Sequence, residues 1–324
     1  MENGTLERKS GSGRPSFDKE EKTDAVVACV REKRDITIRD IAVATSIPRS
    51  SVWRLLDDSE MKLCARRSIP PLNELQTDAR LTFCRQNRYN RWDNWVDVDE
   101  KWFDLTNMCR KERYHADSPK KYYACSSKGN PVRLMVLAAV AKPMPEYGFD
   151  GLIGIWRITT EYVAQRRSKN HEKGDVYDID TTMTSELYYD MMMHKVIPAI
   201  KRKMNFAGNV TIQQDNARPH VGKNNVSKLN GVDGITVINQ PANSPELNVN
   251  DLGFFHSLSA TVEKHGKTSR EKLWQVIQDS YNSANSDTLL SIWKTKSDAV
   301  VQEIIRNRGS SVKVPHSSLR RDLT

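Results

Sequence analysis

The sequence predicts an α/β catalytic-type domain, a mixed sheet flanked by helices, behind an N-terminal all-α helix-turn-helix region. Three observations carry this. Short amphipathic stretches lie between Phe17 and Leu56, strand-like patterning sets in at Trp92, and strands then alternate with helical periodicity as far as Arg306. The 324 residues suffice for one large domain and smaller ones. Fifty Lys and Arg against 41 Asp and Glu leave a net charge of +9, which favours polyanionic partners. No run approaches the roughly 18 to 20 consecutive apolar residues of a bilayer span, and the first eight residues are too polar for a signal-peptide core, so membrane and secreted classes are not expected. Cys29, Cys64, Cys84, Cys109 and Cys125 are odd in number and form no C-x-x-C pair, so they read as reduced thiols of the cytosol or nucleus.

Residues 1–15 read as a flexible basic tail and 16–58 as the helix-turn-helix. A first helix behind Asp18 runs to about Arg34 and buries Ala25, Val26, Cys29 and Val30. A second, Ile38 to Ala44, buries Ile38, Ile41 and Ala42; Thr45-Ser46-Ile47 makes the turn, and Pro48 suits the first position of a third helix because its missing N–H has no helical partner to lose. That helix buries Val52, Leu55 and Leu56 and presents Arg49, Ser50, Ser51 and Arg54 for DNA. The alternative is a three-helix bundle with a solvated polar face. Residues 59–92 read as a basic helical linker or a second, smaller DNA-binding unit, with Arg66 and Arg67 as phosphate contacts.

The α/β domain is expected over 93–308, followed by a tail, 309–324. Alternation puts Val96 and Val98 on one face of a first strand and Asp97 and Asp99 on the other; Trp102, Phe103 and Leu105 begin a second strand. Strands buried on both faces or one follow at 132–140, 151–158, 210–214 and 235–238. Helices are expected at 185–204, where Met191-Met192-Met193 reads as core filler, and at 248–265, 269–283 and 288–306.

Asp99 and Asp215 fall at strand ends, and Asp251 falls in the first turn of a helix entered through Asn243-Ser244-Pro245. A mixed sheet can gather two strand ends and a helix start, and three gathered carboxylates call for a cation. Hard oxygen ligands select Mg²⁺ or Mn²⁺, and two such ions suit phosphodiester displacement. The alternative is chance, since 41 acidic residues will place some at strand ends. Asp97 is the other candidate for the first acid. His220 is read either as a contact to DNA or a carboxylate or as packing, and Lys101 and Arg218 as phosphate contacts or solvated surface.

The runs Asp99-Glu100-Lys101-Trp102-Phe103, Asp215-Asn216-Ala217-Arg218-Pro219-His220 and Gln240-Pro241-Ala242-Asn243-Ser244-Pro245-Glu246-Leu247-Asn248-Val249-Asn250-Asp251 resemble the three signature blocks of mariner-like transposases of the Tc/mariner superfamily. The likeness is greatest to the branch with a third Asp known from plants and water moulds. Phe149-Asp150-Gly151, Ser168-Lys169-Asn170 and Val314-Pro315-His316 support it in the same order along the chain. The resemblance implies an RNase H-like domain with Asp99, Asp215 and Asp251 as catalytic and metal-binding triad, holding two Mg²⁺ or Mn²⁺. It implies hydrolysis at the transposon's terminal inverted repeats, then attack by the freed 3′-hydroxyl on a TA target in double-stranded DNA. A homodimer and a nuclear location follow from that role. Three departures stand out: only 35 residues separate Asp215 from Asp251, fewer than that branch usually carries; Glu246 replaces the usual Asp; and Asn250 replaces a common apolar residue. The alternative they raise is a catalytically inactive, transposon-derived DNA-binding protein.

Overall fold

The computed structural model describes residues 19–33, 36–59, 61, 71–105, 133–168, 171–265 and 269–312. They form two compact units, Met1–Ile69 and Pro70–Thr324. The tail over 1–15, Cys64, Arg66, Arg67, Cys109, Cys125, Lys169, Asn170 and the Val314-Pro315-His316 block lie outside the described residues.

In the first unit α1 (Lys19–Glu32), α2 (Ile38–Thr45) and α3 (Arg49–Asp58) close around Val26, Ile41, Ile47, Val52 and Leu55. The Thr37 hydroxyl accepts from the Asp40 N–H and caps α2, and Ser46, at φ 55°, ends it in the left-handed turn that redirects the chain into α3. Pro48 is the cap of α3 rather than its first helical residue, and its carbonyl accepts from the N–H groups of Ser51 and Val52. Ala25 is exposed, against expectation, because the buried stripe of α1 runs through Val26, Cys29 and Val30.

The second unit opens with α4 (Glu74–Gln86), started by a reciprocal Asn73–Gln76 capping box. Its Arg80 and Cys84 are fully buried, and burial pushes the Cys84 thiol up to about 12. This half of the basic 59–92 segment is thus built into the second unit from Pro70 onward. Next comes β1 (Trp95–Asp104), one ten-residue strand where two were expected. Glu100-Lys101 looked like a break in the apolar pattern, but the ladder to β2 (Arg133–Ala141) is unbroken from Val96↔Ala141 to Asp104↔Arg133. After β3 (Leu152–Arg157) a hairpin of β4 (Thr159–Val163) and β5 (Val176–Asp180) forms its own small sheet. The pattern analysis missed it, since Val163 and Val176 are both exposed and no buried face alternates.

The expected helix over 185–204 is α5 (Ser185–Met191), a π turn (Met192–Val196) and α6 (Ile197–Lys203). Pro198 has no N–H for the α-helical ladder, and the wider turn before it, with Ile197 N–H bonded to Met192 O, accommodates the loss. Then β6 (Val210–Gln214), α7 (Arg218–Val221), α8 (Asn225–Leu229) and β7 (Ile235–Asn239) lead to a π turn (Asn250–Phe254) and α9 (Phe255–Val262). The described chain ends through α10 (Arg270–Asn282), α11 (Ser286–Lys294), a further π turn (Thr295–Val300) and α12 (Val301–Arg306).

The main sheet has the order β3-β2-β1-β6-β7, antiparallel between β1, β2 and β3 and parallel between β1, β6 and β7. Each face is covered. Val96, Val98, Leu137 and Ala139 pack with Tyr188, Val196 and Ile200 of the α5–α6 rod, while Trp95, Phe103, Val136 and Ala138 pack with Phe255, Ile277, Trp293 and Val301 of the later helices. Burial on both faces is why the sheet reads as near-continuous apolar runs. Among the described residues no helix is long and apolar enough to cross a membrane.

Candidate active site

The parallel pairing of β1 and β6 sets the site. Asp97 is level with Gln213, so two residues further on Asp99 is brought level with Asp215, just beyond the end of β6. Asp99 lies inside β1 rather than at its end. Asp251 enters from the π turn that precedes α9, and its side chain shares a hydrogen bond with that of Asp99. All three predicted acids therefore meet in one electrostatic neighbourhood. Burial, followed by the charges of Asp251, Glu100 and Asp215, holds the Asp99 carboxyl well above the ordinary range. Burial also raises Asp251, against relief from the bond to Asp99 and from Lys101.

Asp215 shifts the other way. Burial would raise its pKa, but the adjoining His220 imidazolium lowers it, helped by the Ala217 N–H at 2.8 Å. His220 is buried between two acids: Nδ1 lies 2.5 Å from Asp215 Oδ1 and Nε2 lies 2.9 Å from Glu100 Oε1. The Nδ1 approach is off the ring N–H direction, which makes it an ion pair rather than an aligned hydrogen bond. Burial disfavours the imidazolium, yet the two carboxylates prevail and push His220 up to about 10. Tyr188 packs against the ring at 4.2 Å and donates its hydroxyl hydrogen to Gln214 at 2.6 Å. His220 thus contacts carboxylates and serves packing at once.

Among the described residues no three His, Cys, Asp or Glu side chains form a ready-made metal cage. The donor chemistry fits a hard divalent cation all the same: three carboxylates share one electrostatic neighbourhood, and burial, with the neighbouring acids, raises the pKa of Asp99 and Asp251. Asp97 is excluded as a ligand because it is wholly buried, with Lys296 Nζ 2.9 and 2.7 Å from its two oxygens.

Sequence reasoning missed Arg80 and Lys296. Arg80 lies at 0 % exposure and donates to the carbonyls of Gly309 (2.8 Å), Asn243 (3.1 Å) and Ser310 (3.3 Å), the Ser244 hydroxyl (2.8 Å) and Glu246 Oε1 (2.5 Å). It therefore ties α4 to the loop that leads to Asp251. Glu246 is its anion, which gives that departure from the family pattern a role. Gly309, at φ +89°, leaves the space in which the Thr77 carbonyl sits; a Cβ there would collide with it. The signal for Lys296 was its helical phase: of the two lysines between Trp293 and Val300, Lys296 rather than Lys294 falls on the face that carries those two apolar residues. Beside Asn216 a cleft of about 530 Å³ opens between α4 and residues 239–242, edged by Thr82, Gln86, Asn239 and Gln240.

In the first unit Arg49, Ser50 and Arg54 are exposed on α3 as expected, together with an unforeseen Trp53 at 55 %. Ser51 is half-buried, since it lies one helical turn before the core residue Leu55.

Residues 23–89 match the helix-turn-helix family model described as "Transposase". No curated protein matches the chain. Solved structures do. The Mos1 transposase paired-end complex with the left transposon end is 18 % identical with a TM-score of 0.68, covering 93 % of this chain and 82 % of that one. The mariner Mos1 paired-end complex with Mg is also 18 % identical at a TM-score of 0.68, covering 96 % and 85 %. The Mos1 strand transfer complex is 17 % identical at 0.66, covering 93 % and 81 %. Residues 23–89 thus match a transposase helix-turn-helix family model, and the chain shares the fold of these transposase structures over nearly its whole length.

Proposed function

We propose that the protein is a DNA transposase that binds terminal inverted repeats, hydrolyses phosphodiester bonds at the transposon ends and transfers the freed 3′-hydroxyl into a TA target. One observation supports the reading: the sheet and the π turn bring Asp99, Asp215 and Asp251 into mutual electrostatic range, with burial raising the pKa of Asp99 and Asp251. Asp99, Asp215 and Asp251 would together hold the two divalent ions. Bound there, such ions supply activation of the attacking oxygen and stabilisation of the leaving one. The chain's own residues do the positioning. His220 fixes the Asp215 carboxylate against Glu100, and the adjoining cleft offers a strand end a place beside Asp215. Water, and later a DNA 3′-oxygen, is the nucleophile, so no Ser or Cys is needed. The Mos1 complexes with transposon DNA and with Mg support the DNA partner and the divalent metal, and paired ends favour a homodimer. A nuclear location follows from the substrate.

The test is incubation of a duplex carrying the element's terminal repeat with Mg²⁺ or Mn²⁺ and then EDTA. Nicking at the repeat boundary is expected with metal, and none with EDTA or in Asp215→Ala. Specific binding without nicking would favour the DNA-binding relic instead. In the same assay Arg54→Ala is expected to cost about 1–3 kcal/mol of discrimination for the repeat. Equal losses on repeat and random DNA would remove Arg54 from base readout.

A further inference from the structure

We propose that the buried Asp97 side chain, held in place by Lys296, is the positioning device that registers the third acid against the first by accepting the Val249 N–H, an inference that rests on the metal-dependent reading of the site. Asp97 stands two residues before Asp99, and its Oδ2 accepts the Val249 N–H at 2.7 Å, two residues before Asp251. Three further bonds run beside it. Asn250 donates to the Asp97 carbonyl at 3.0 Å, and Asn248 donates to the Val98 carbonyl at 3.2 Å and to Asp99 Oδ2 at 3.3 Å. Residues 248–250 are thereby stitched edge-on to β1, and Asn250, one of the family departures, is part of the stitch.

The Asp97 carboxylate is itself held in place. Lys296 Nζ reaches both oxygens and lies 3.2 Å from Gln213 Oε1, while the Trp95 indole N–H donates to Oδ1 at 3.1 Å. The ammonium is enclosed by Trp92, Trp293 and Trp95, with ring centroids at 4.5, 4.7 and 5.7 Å. Both charges are at 0 % exposure, so neither can interact with solvent or DNA. A buried pair contributes little net stability over apolar packing, yet its geometry is fixed by every bond it makes. Those bonds lead from α11 and its π turn, through β1, to the backbone that carries Asp251.

The test reads metal binding directly, by Mn²⁺ titration with spin-resonance detection of the free ion, on the full chain. Val249→Pro removes the donor and trades one buried apolar side chain for another of similar size. Val249 has φ −60° and Asn248 is extended at φ −105°, ψ 122°, so proline fits the backbone. Mn²⁺ affinity is expected to fall about 10-fold or more, as for other residues that orient metal ligands, with unchanged affinity for repeat DNA. A second comparison sets Asp97→Asn/Lys296→Met, which keeps an acceptor for Val249, against Asp97→Leu/Lys296→Met, which has the same charge and no acceptor. Mn²⁺ affinity is expected to survive in the first and fall in the second at equal thermal midpoints. Wild-type affinity in Val249→Pro, or equal affinity in the two double variants, would overturn the positioning role. Failure of the wild-type chain to bind Mn²⁺ would instead overturn the metal reading on which it rests.

Discussion

A single lysine decides how Asp97 is to be understood. Alternation along β1 placed Asp97 and Asp99 on one face, and nothing local distinguishes them; the distinction comes from a residue 199 positions away. Burial pushes Lys296 down and Asp97 up, against their mutual attraction, so each depends on the other to remain charged. Removing one partner strands the other. Lys296→Met is expected to destabilise the chain by roughly 3–5 kcal/mol, and adding Asp97→Asn should recover most of it, since loss of both charges is often close to neutral. Urea unfolding of the wild type, both single variants and the double variant checks this; additive losses would contradict it. The three acids of the site were legible because signature runs surround them. The partners of Lys296 and Arg80 and the double engagement of His220 were not, because those partners come from distant parts of the chain.

Among the elements, α4 holds an arginine that the sequence reading did not single out: helical geometry turns Arg80 inward while Arg85 stays exposed. Five acceptors surround a planar guanidinium, an arrangement that a lysine ammonium cannot reproduce. Arg80→Lys is therefore expected to lower nicking at the repeat boundary about as severely as Arg80→Ala, with binding of the repeat by the first unit retained. Gel-shift and cleavage assays on one duplex separate the two effects, and near-wild-type cleavage by Arg80→Lys would refute it. Elements with strong periodicity were readable: α2, α3, β2, β6, β7 and α10 fall within a few residues of expectation. Elements were misread where side chains broke the period without breaking the backbone. Glu100-Lys101 did this within β1, and Pro198 did it beside the π turn of the α5–α6 rod. The β4–β5 hairpin went unread because exposed valines carry no alternation to detect.

For the whole molecule, a net charge of +9 and two compact units in one chain would, on the proposed function, offer DNA two kinds of partner, a reading helix and a carboxylate site. Association with DNA is expected to weaken steeply with salt, because each neutralised phosphate releases counterions. The logarithm of affinity against the logarithm of salt should fall linearly, less steeply for residues 1–69 than for the full chain; equal slopes would confine the phosphate contacts to the first unit. The helix-turn-helix-before-sheet order and β2, β3, β6 and β7 of the main sheet were readable, since they follow from where helical period gives way to apolar runs. The buried pair under the sheet has a further consequence, for the history of the chain. An aspartate at 97 without a lysine at 296, or the reverse, leaves an unmatched interior charge, so descent from one solution to another must pass through a weakened intermediate. In homologous chains the two positions are expected to change together, and a sequence alignment would show them as a covarying couple even though 198 residues intervene.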